Sequence, residues 1–470
     1  MENTGAFGRI KNKFIGDRAF YASVIKLIIP IIIQQGITSF VNLLDNVMVG
    51  ALSTAAISGV AIVNQLVFIF NLSIFGSLSG PSIYSAQYAG IKDDEGVRRC
   101  FRVKLIIGTL LSVSAIVVFS AFGDKLIWLY LNEETNSPEM LAATLAQAKD
   151  YLWVILLGLP PFMVAQCYGT TLRETGETVV PMRASIISII INLVLNYILI
   201  YGHLGMPALG VKGAAIATVA ARYIEIAYML IHIYRRLDKY HYFKKVFRDF
   251  NIPGALVRKI IITGAPLLAN EFLWSTAMAI KNQCFSVRGL DVVAATNITS
   301  TVWQIFAIIM FSMGSAISIM VGQMLGAGDI DGAIETDTRL ISISFVMHLF
   351  IGLLIIALSG VIPMIYNVEQ NVRDMTSGML IAAGCTIWMD ALAHSSYFTI
   401  RSGGRTVITF LLDSVFTLVV VVPLSYMLCN WTDMNVCLVY GLVEAANILK
   451  FCIALPILIS GSWAHNVISR

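Results

Sequence analysis

The residues of this chain most able to do chemistry are ionisable side chains set inside long apolar stretches. Asp45 closes the phrase Asn42-Leu43-Leu44-Asp45, Glu271 follows Asn270 one turn past Pro266, Lys281 lies ten residues further on, and Asp390 sits in Trp388-Met389-Asp390. A charge in the middle of a membrane-crossing helix costs about 2.5–3.5 kcal/mol on insertion scales unless it is paired or wetted, so each is a functional candidate by default. Asp45, Glu271 and Asp390 have no obvious partner on their own stretch. Asn192 and Asn196 are one helical turn apart and share a face, and Thr218 adds a hydroxyl on the next stretch. An isolated Asn in such a place is as readily helix–helix glue. Two Asn with an Asp supply an oxygen cage of one negative charge, which suits Na⁺ or an aspartate that carries a proton.

Other polar groups read as structure. Arg222 and Glu225 are three apart and face one side, so a pair is expected. Glu444, Asn447 and Lys450 make a similar stripe, read as an interhelical clamp. Asp413, seven residues after Thr406, is expected to partner the nearby arginine turns. No paired-His metal motif and no phosphate-binding G-x-x-x-x-G-K-[ST] loop occurs, and no nucleophile stands beside a base, so neither an enzyme nor a metal centre is expected. The seven cysteines are scattered without CxxC spacing and read as small apolar packing residues.

The elements that must position these groups are membrane helices. Hydrophobic residues make up 57% of the chain and charged ones 13%, against about 25% charged in a typical soluble domain. Apolar runs long enough to cross a bilayer fall near 22–47, 55–82, 101–122, 151–171, 181–201, 209–234, 260–286, 294–323, 339–362, 376–400, 406–428 and 435–460. The expected fold is therefore an all-α integral membrane protein of twelve transmembrane helices, six in each half. The halves echo each other. Gln87-Tyr88-Ala89-Gly90 returns 236 residues later as Gln323-Met324-Leu325-Gly326, and Pro30 returns as Pro266. Arg173-Glu174-Thr175-Gly176 returns after 228 residues as Arg401-Ser402-Gly403-Gly404, read as a tight turn. Because six is even, both halves enter the membrane in the same direction, which predicts two six-helix lobes related by a pseudo-two-fold along the membrane normal. The expected domains are an N-terminal lobe, 1–234, a cytoplasmic linker, 235–259, and a C-terminal lobe, 260–470.

Basic residues give the orientation. Arg9, Lys11, Lys13 and Arg18, the 92–104 segment, the linker and the two arginine turns hold most of the Lys and Arg, while the alternate loops hold few. The positive-inside rule then puts these segments and both termini in the cytoplasm, in a multi-pass protein of the plasma membrane. The linker strip Arg235–Arg248, interleaved with Tyr240, Tyr242, Phe243 and Phe247, reads as an amphipathic segment on the inner membrane surface, with membrane lipid and not nucleic acid as its partner.

Pro30 with Asp45-Asn46-Val47-Met48-Val49-Gly50, the Gln87 and Gln323 phrases, Arg173 through Pro181, and Asn192 and Asn196 through Gly210–Thr218 together resemble the multidrug and toxic compound extrusion (MATE) family, in order and over nearly the whole chain. The resemblance implies two facing six-helix lobes with alternating access driven by Na⁺ or H⁺. It implies amphipathic, typically cationic organic substrates, with no other cofactor. It puts an N-lobe cation or proton site on Asp45, Asn192, Asn196 and Thr218. Some members carry Asp where this chain has Asn196, so the charge count here is lower. Asp390 matches a C-lobe aspartate of some members. Glu271 corresponds only by proximity to an acidic residue that lies one turn deeper, where this chain has Trp274. Lys281 departs from the pattern and is expected to tether Asp390 or Glu271, or to tune the acidity of one of them. The functional expectation is a secondary-active exporter working as a monomer. The alternative is a flippase for an anionic or lipid-linked substrate, for which Lys281 would be the cationic contact.

Overall fold

The computed structural model describes residues 14–131, 137–248 and 251–469. Arg9, Lys11 and Lys13, used above for orientation, lie outside these, as do positions 249 and 250 of the linker. Among the described residues the chain is helical, with no strand. Twelve long helices follow in order: α1 (Arg18–Gly50), α2 (Thr54–Gly90), α3 (Asp94–Trp128), α4 (Pro138–Glu174), α5 (Val179–Tyr201), α6 (Val211–Tyr234), α7 (Gly254–Ser286), α8 (Leu290–Ala327), α9 (Ile330–Leu358), α10 (Gln370–Ser402), α11 (Thr406–Trp431) and α12 (Val436–Ile459). Eleven are long and apolar enough to cross a membrane. The remaining one, α7, is 33 residues long but carries Arg258, Lys259, Glu271 and Lys281. Several helices outrun their apolar stretch. α2 has 37 residues, where about 20 suffice to span the hydrocarbon.

The chain folds into two compact units. One gathers the described residues up to Ile32, Ala86–Asp93 and the chain from Lys259 onward; the other holds Ile33–Ser85 and Asp94–Arg258. In the first unit α8 packs against α9 and α10, and α10 against α12. Met313, Ile317, Val321 and Leu325 of α8 are fully buried at four-residue spacing, together with Leu340 and Ile400. Val24, Leu27, Ile28 and Ile31 of α1 join this core at the i, i+3, i+4, i+7 spacing of one helical face. In the second unit α5 packs on α6, and α4 on α3 and α6.

The repeated glutamine–glycine phrase marks a backbone crossing inside the first unit. A Cβ on Gly90 would strike the Gln323 carbonyl, and one on Gly326 would strike the Gln87 carbonyl. The two copies thus meet reciprocally, and only glycine lets the helices approach so closely. The Gln87 side chain then ties in the C-terminal segment: its amide donates to the carbonyls of Ser402 (3.2 Å) and His465 (3.1 Å) and accepts from the Val467 N–H (2.8 Å). In the repeated arginine turn both fourth residues are left-handed, Gly176 at φ 86° and Gly404 at φ 77°, as the tight-turn reading requires.

The linker corrects the expectation that its aromatics lie on the membrane surface. Among the described residues of 235–248 the one helical turn is His241–Phe243, and the strip packs against the protein. Tyr240, Tyr242, Phe243 and Val246 are buried, with the Phe243 ring edge-on to Phe101 at 5.0 Å and tilted against Tyr168 at 4.9 Å. Arg102 donates to the Val246 and Lys245 carbonyls at 2.9 and 3.2 Å, and Tyr242 bonds Thr175 at 2.8 Å. Lys239 pairs with Glu177. Burial alone would raise the Glu177 carboxyl, but the hydrogen bond and charge of Lys239, with Tyr240 and the Val179 N–H, hold it below its ordinary value. Tyr240, Tyr242 and Phe243 thus fill a pocket left by α3 and α4 while Phe247 stays exposed, and the strip becomes a clasp fixed to the second unit.

Candidate functional site

In the second unit, α5 carries Ser185, Ser188, Asn192 and Asn196, all buried and all on one face by their spacing. Past Arg183 the rest of the helix is largely apolar, so this stripe is what it turns inward. Asn196 donates to Asp45 Oδ1 at 2.6 Å and to Asn192 Oδ1 at 3.2 Å, and Asn192 donates to Thr218 Oγ1 at 3.3 Å. Turning the Asn192 amide half a revolution aims its NH₂ at the Asp45 carboxylate instead, at 3.0 Å. All four residues singled out in the N-terminal half therefore meet. Asn196 Oδ1 is buried and has no hydrogen-bond partner. An oxygen in that state is a ready ligand for a small cation, since leaving it unpaired costs free energy.

Asp45, Asn192 and Thr218 line a cavity of about 70 Å³ with Thr38, Asn42 and Arg222, among others. That is about two waters' share of liquid volume, which admits Na⁺ or a proton with a water but no organic molecule. From its wall runs a polar chain that opens on the expected Arg222–Glu225 pair and continues through residues the sequence reading missed. Arg222 pairs with Glu225 at 3.0 Å. Ser185 donates to Glu225 at 2.8 Å, and Gln34 donates to Ser185 at 2.7 Å. Arg173 donates to Gln34 at 3.4 Å. The signal was present in the three- and four-residue spacing of Ser185, Ser188 and Asn192. Tyr151, bonded to Asn64 at 3.4 Å and interacting with Thr218, was also missed, because its helix approaches only in three dimensions.

In the first unit the candidate residues separate. Asp390 is buried and accepts from Asn447 at 2.9 Å and from the Trp303 indole at 3.4 Å. The helix of α12 is interrupted at residues 446–447, which frees the Asn447 side chain to reach across. Lys281 bonds neither Asp390 nor Glu271; it pairs with Glu444 at 2.8 Å. That corrects the tether expected for it, although Lys281 and Glu444 both lie within electrostatic reach of Asp390. Glu271 belongs with Asn270, Asp413 and Arg401, because the ten residues to Lys281 put it about 15 Å away along α7. Asp413 is also reassigned. Its partners are Lys450 at 3.0 Å and Asn270 at 3.1 Å, not the arginine turns. Two π-type turns, Leu411–Val415 and Thr417–Val421, run through this part of α11, and Ser414 donates to the Asn270 carbonyl at 2.6 Å. Such wide turns displace backbone and recur at functional sites. Among the described residues no group of three His, Cys, Asp or Glu is placed to hold a metal.

A family model described as MatE matches residues 30–198 and 266–427, once in each half. The probable multidrug resistance protein NorM of Thermotoga maritima is 20% identical over 452 residues, covering 95% of this chain and 93% of that protein. The probable multidrug resistance protein YoeA of Bacillus subtilis is 25% identical over 423 residues, 88% of each. An outward-facing multidrug resistance MATE family transporter of the MOP superfamily superposes with a TM-score of 0.84 at 19% identity, covering 98% of this chain and all of that one.

Proposed function

The chain belongs to the MatE family of multidrug efflux transporters, and on that premise we propose that it is a secondary-active exporter that exchanges amphipathic organic cations for Na⁺ or H⁺ across the plasma membrane, with both termini cytoplasmic. The observation that carries the coupling is the Asp45 cluster. Asp45, Asn192 and Thr218 line a cavity of about 70 Å³, Asn196 bonds the Asp45 carboxylate, and Arg222 in the same wall is paired with Glu225, which leaves Asp45 as the charge available to one small cation. Binding of Na⁺ or a proton there neutralises Asp45, loosens its hold on Asn196 and Asn192, and favours the state in which an organic cation is released. The ion moves the equilibrium only by its differential affinity for the two states. Asp390, with Asn447 and Trp303, serves as a second carboxylate that responds to the coupling ion or substrate, and Lys281 with Glu444 sets its field. Glu271 acts with Asp413 and Lys450 nearer the arginine turn. The pairing of Lys281 with Glu444 cancels the one charge that favoured an anionic, flippase-type substrate.

The test is uptake of a fluorescent cation into proteoliposomes under separately imposed Na⁺ and pH gradients, with Asp45→Asn beside the wild type. The variant should insert normally and lose gradient-driven transport. Full transport by a well-inserted Asp45→Asn protein removes the site from the coupling mechanism.

A further inference from the structure

A groove of about 570 Å³ lies in the second unit, where α3, α4 and α6 end beneath the clasp. Its lining includes Ile106, Leu110, Met163, Val164, Tyr234 and Phe247, and no carboxylate. We infer that this groove seats an acyl chain of an anionic phospholipid, whose headgroup meets Arg235 and Arg248 on the rim.

The membrane side of the argument comes from α3. Ile106, Leu110, Val113 and Val117 are 43%, 64%, 55% and 59% exposed at spacings of four and three. They form one apolar stripe that faces lipid, and its first two members also line the groove. What reaches the groove from that face is hydrocarbon. The headgroup side comes from the clasp. Tyr234 and Phe247 line the groove, and the residue after each is an exposed arginine. Arg236, Lys244 and Lys245 are exposed as well, against Asp238 as the one acid among the described residues of 235–248; Asp249 lies outside the described residues. Among the described residues none of these five cations has a carboxylate partner within 4.0 Å. On the positive-inside reading this edge lies at the inner leaflet. A cationic drug would be repelled by the rim and would find no counter-charge in the wall, so a transported substrate is the poorer occupant.

The clasp is also preorganised. Arg102 holds the carbonyls of Val246 and Lys245, Arg98 holds that of His241 at 3.1 Å, and Lys245 is kept left-handed at φ 60°. A cationic segment fixed in this way loses little freedom on binding, so its affinity is realised at one place and not spread along a mobile tail.

The experiment is native mass spectrometry of the full-length, detergent-solubilised protein titrated with phosphatidylglycerol or phosphatidylethanolamine. Phosphatidylglycerol should be retained selectively. Arg235→Gln/Arg248→Gln should weaken it about thirty-fold, from about five-fold for each basic residue near a lipid surface. Val164→Trp, which fills the groove and leaves the rim charge, should abolish retention of both lipids, whereas Lys125→Gln, in the last turn of α3, should change nothing. Equal retention of the two lipids by wild type overturns the proposal, as does undiminished phosphatidylglycerol binding by the arginine variant. Loss in the arginine variant with full binding by Val164→Trp also overturns it, because surface charge alone would then account for the effect. Unchanged unfolding temperatures of the variants keep these outcomes separate from misfolding.

Discussion

At the residue scale, the isolated carboxylates and the paired ones carry different consequences. Lys104 is fully buried, bonded to Glu174 at 2.6 Å and to Thr170 and Thr171 at 3.2 and 3.1 Å. Lys104→Met should destabilise the protein by about 3–5 kcal/mol, because it strands a buried carboxylate, and Lys104→Met/Glu174→Leu should recover much of the loss. Thermal unfolding of the single and double variants checks the order. The Lys281–Glu444 pair predicts a functional effect instead. Glu444→Gln frees Lys281 within electrostatic reach of Asp390, so ion-dependent substrate release should become shallower in proteoliposomes. An unaltered ion dependence would remove Asp390 from the release step. Asp45, Asn192 and Asn196 could be picked out in the sequence because polar side chains stand out against an apolar helix. The partners of Lys281 and Asp413 could not, since three helices offer each of them several acids or bases at similar depth.

At the element scale, the glycine crossing and the clasp make the sharpest claims. Gly90→Ala or Gly326→Ala forces a methyl into an opposing carbonyl and should cost about 1–3 kcal/mol, as overpacking does. Gly36, in α1, has nothing within 4 Å of the corresponding position. Gly36→Ala should therefore be neutral or stabilise by up to about 1 kcal/mol, measured in the same unfolding assay. The clasp predicts a pH window. Glu177 titrates below its ordinary value, so its contribution is complete above pH 4.5 and is lost as pH falls through the lowered value. Lys239 is raised, chiefly by its hydrogen bond to Glu177, so its contribution is complete below pH 10.5 and is lost as pH rises through the raised value. Hydrogen exchange of residues 239–246, corrected for intrinsic rates, should be flat between these limits and accelerate at acid pH. Lys239→Gln should weaken docking by no more than about 1 kcal/mol, because the lysine is 57% exposed and largely screened.

At the scale of the whole molecule, the chain by itself determined that it is a helical membrane protein written twice. Apolar length sets the number of spans, and a repeated turn or glycine shows as a repeated letter because backbone conformation depends on local residue type. The same locality explains why the α5 stripe and the Asp45 cluster could be anticipated: a 3.6-residue period decides which side chains share a face. Only the tertiary structure decided the rest. It set Glu444 and not Asp390 against Lys281, grouped Glu271 with Asp413, buried Phe243 of the linker among Phe101 and Tyr168, and brought Gly90 to Gln323. Each of these depends on which helices lie side by side and at what rotation, and apolar stretches of similar length and composition leave that choice open until packing and the pairing of buried charges select one arrangement.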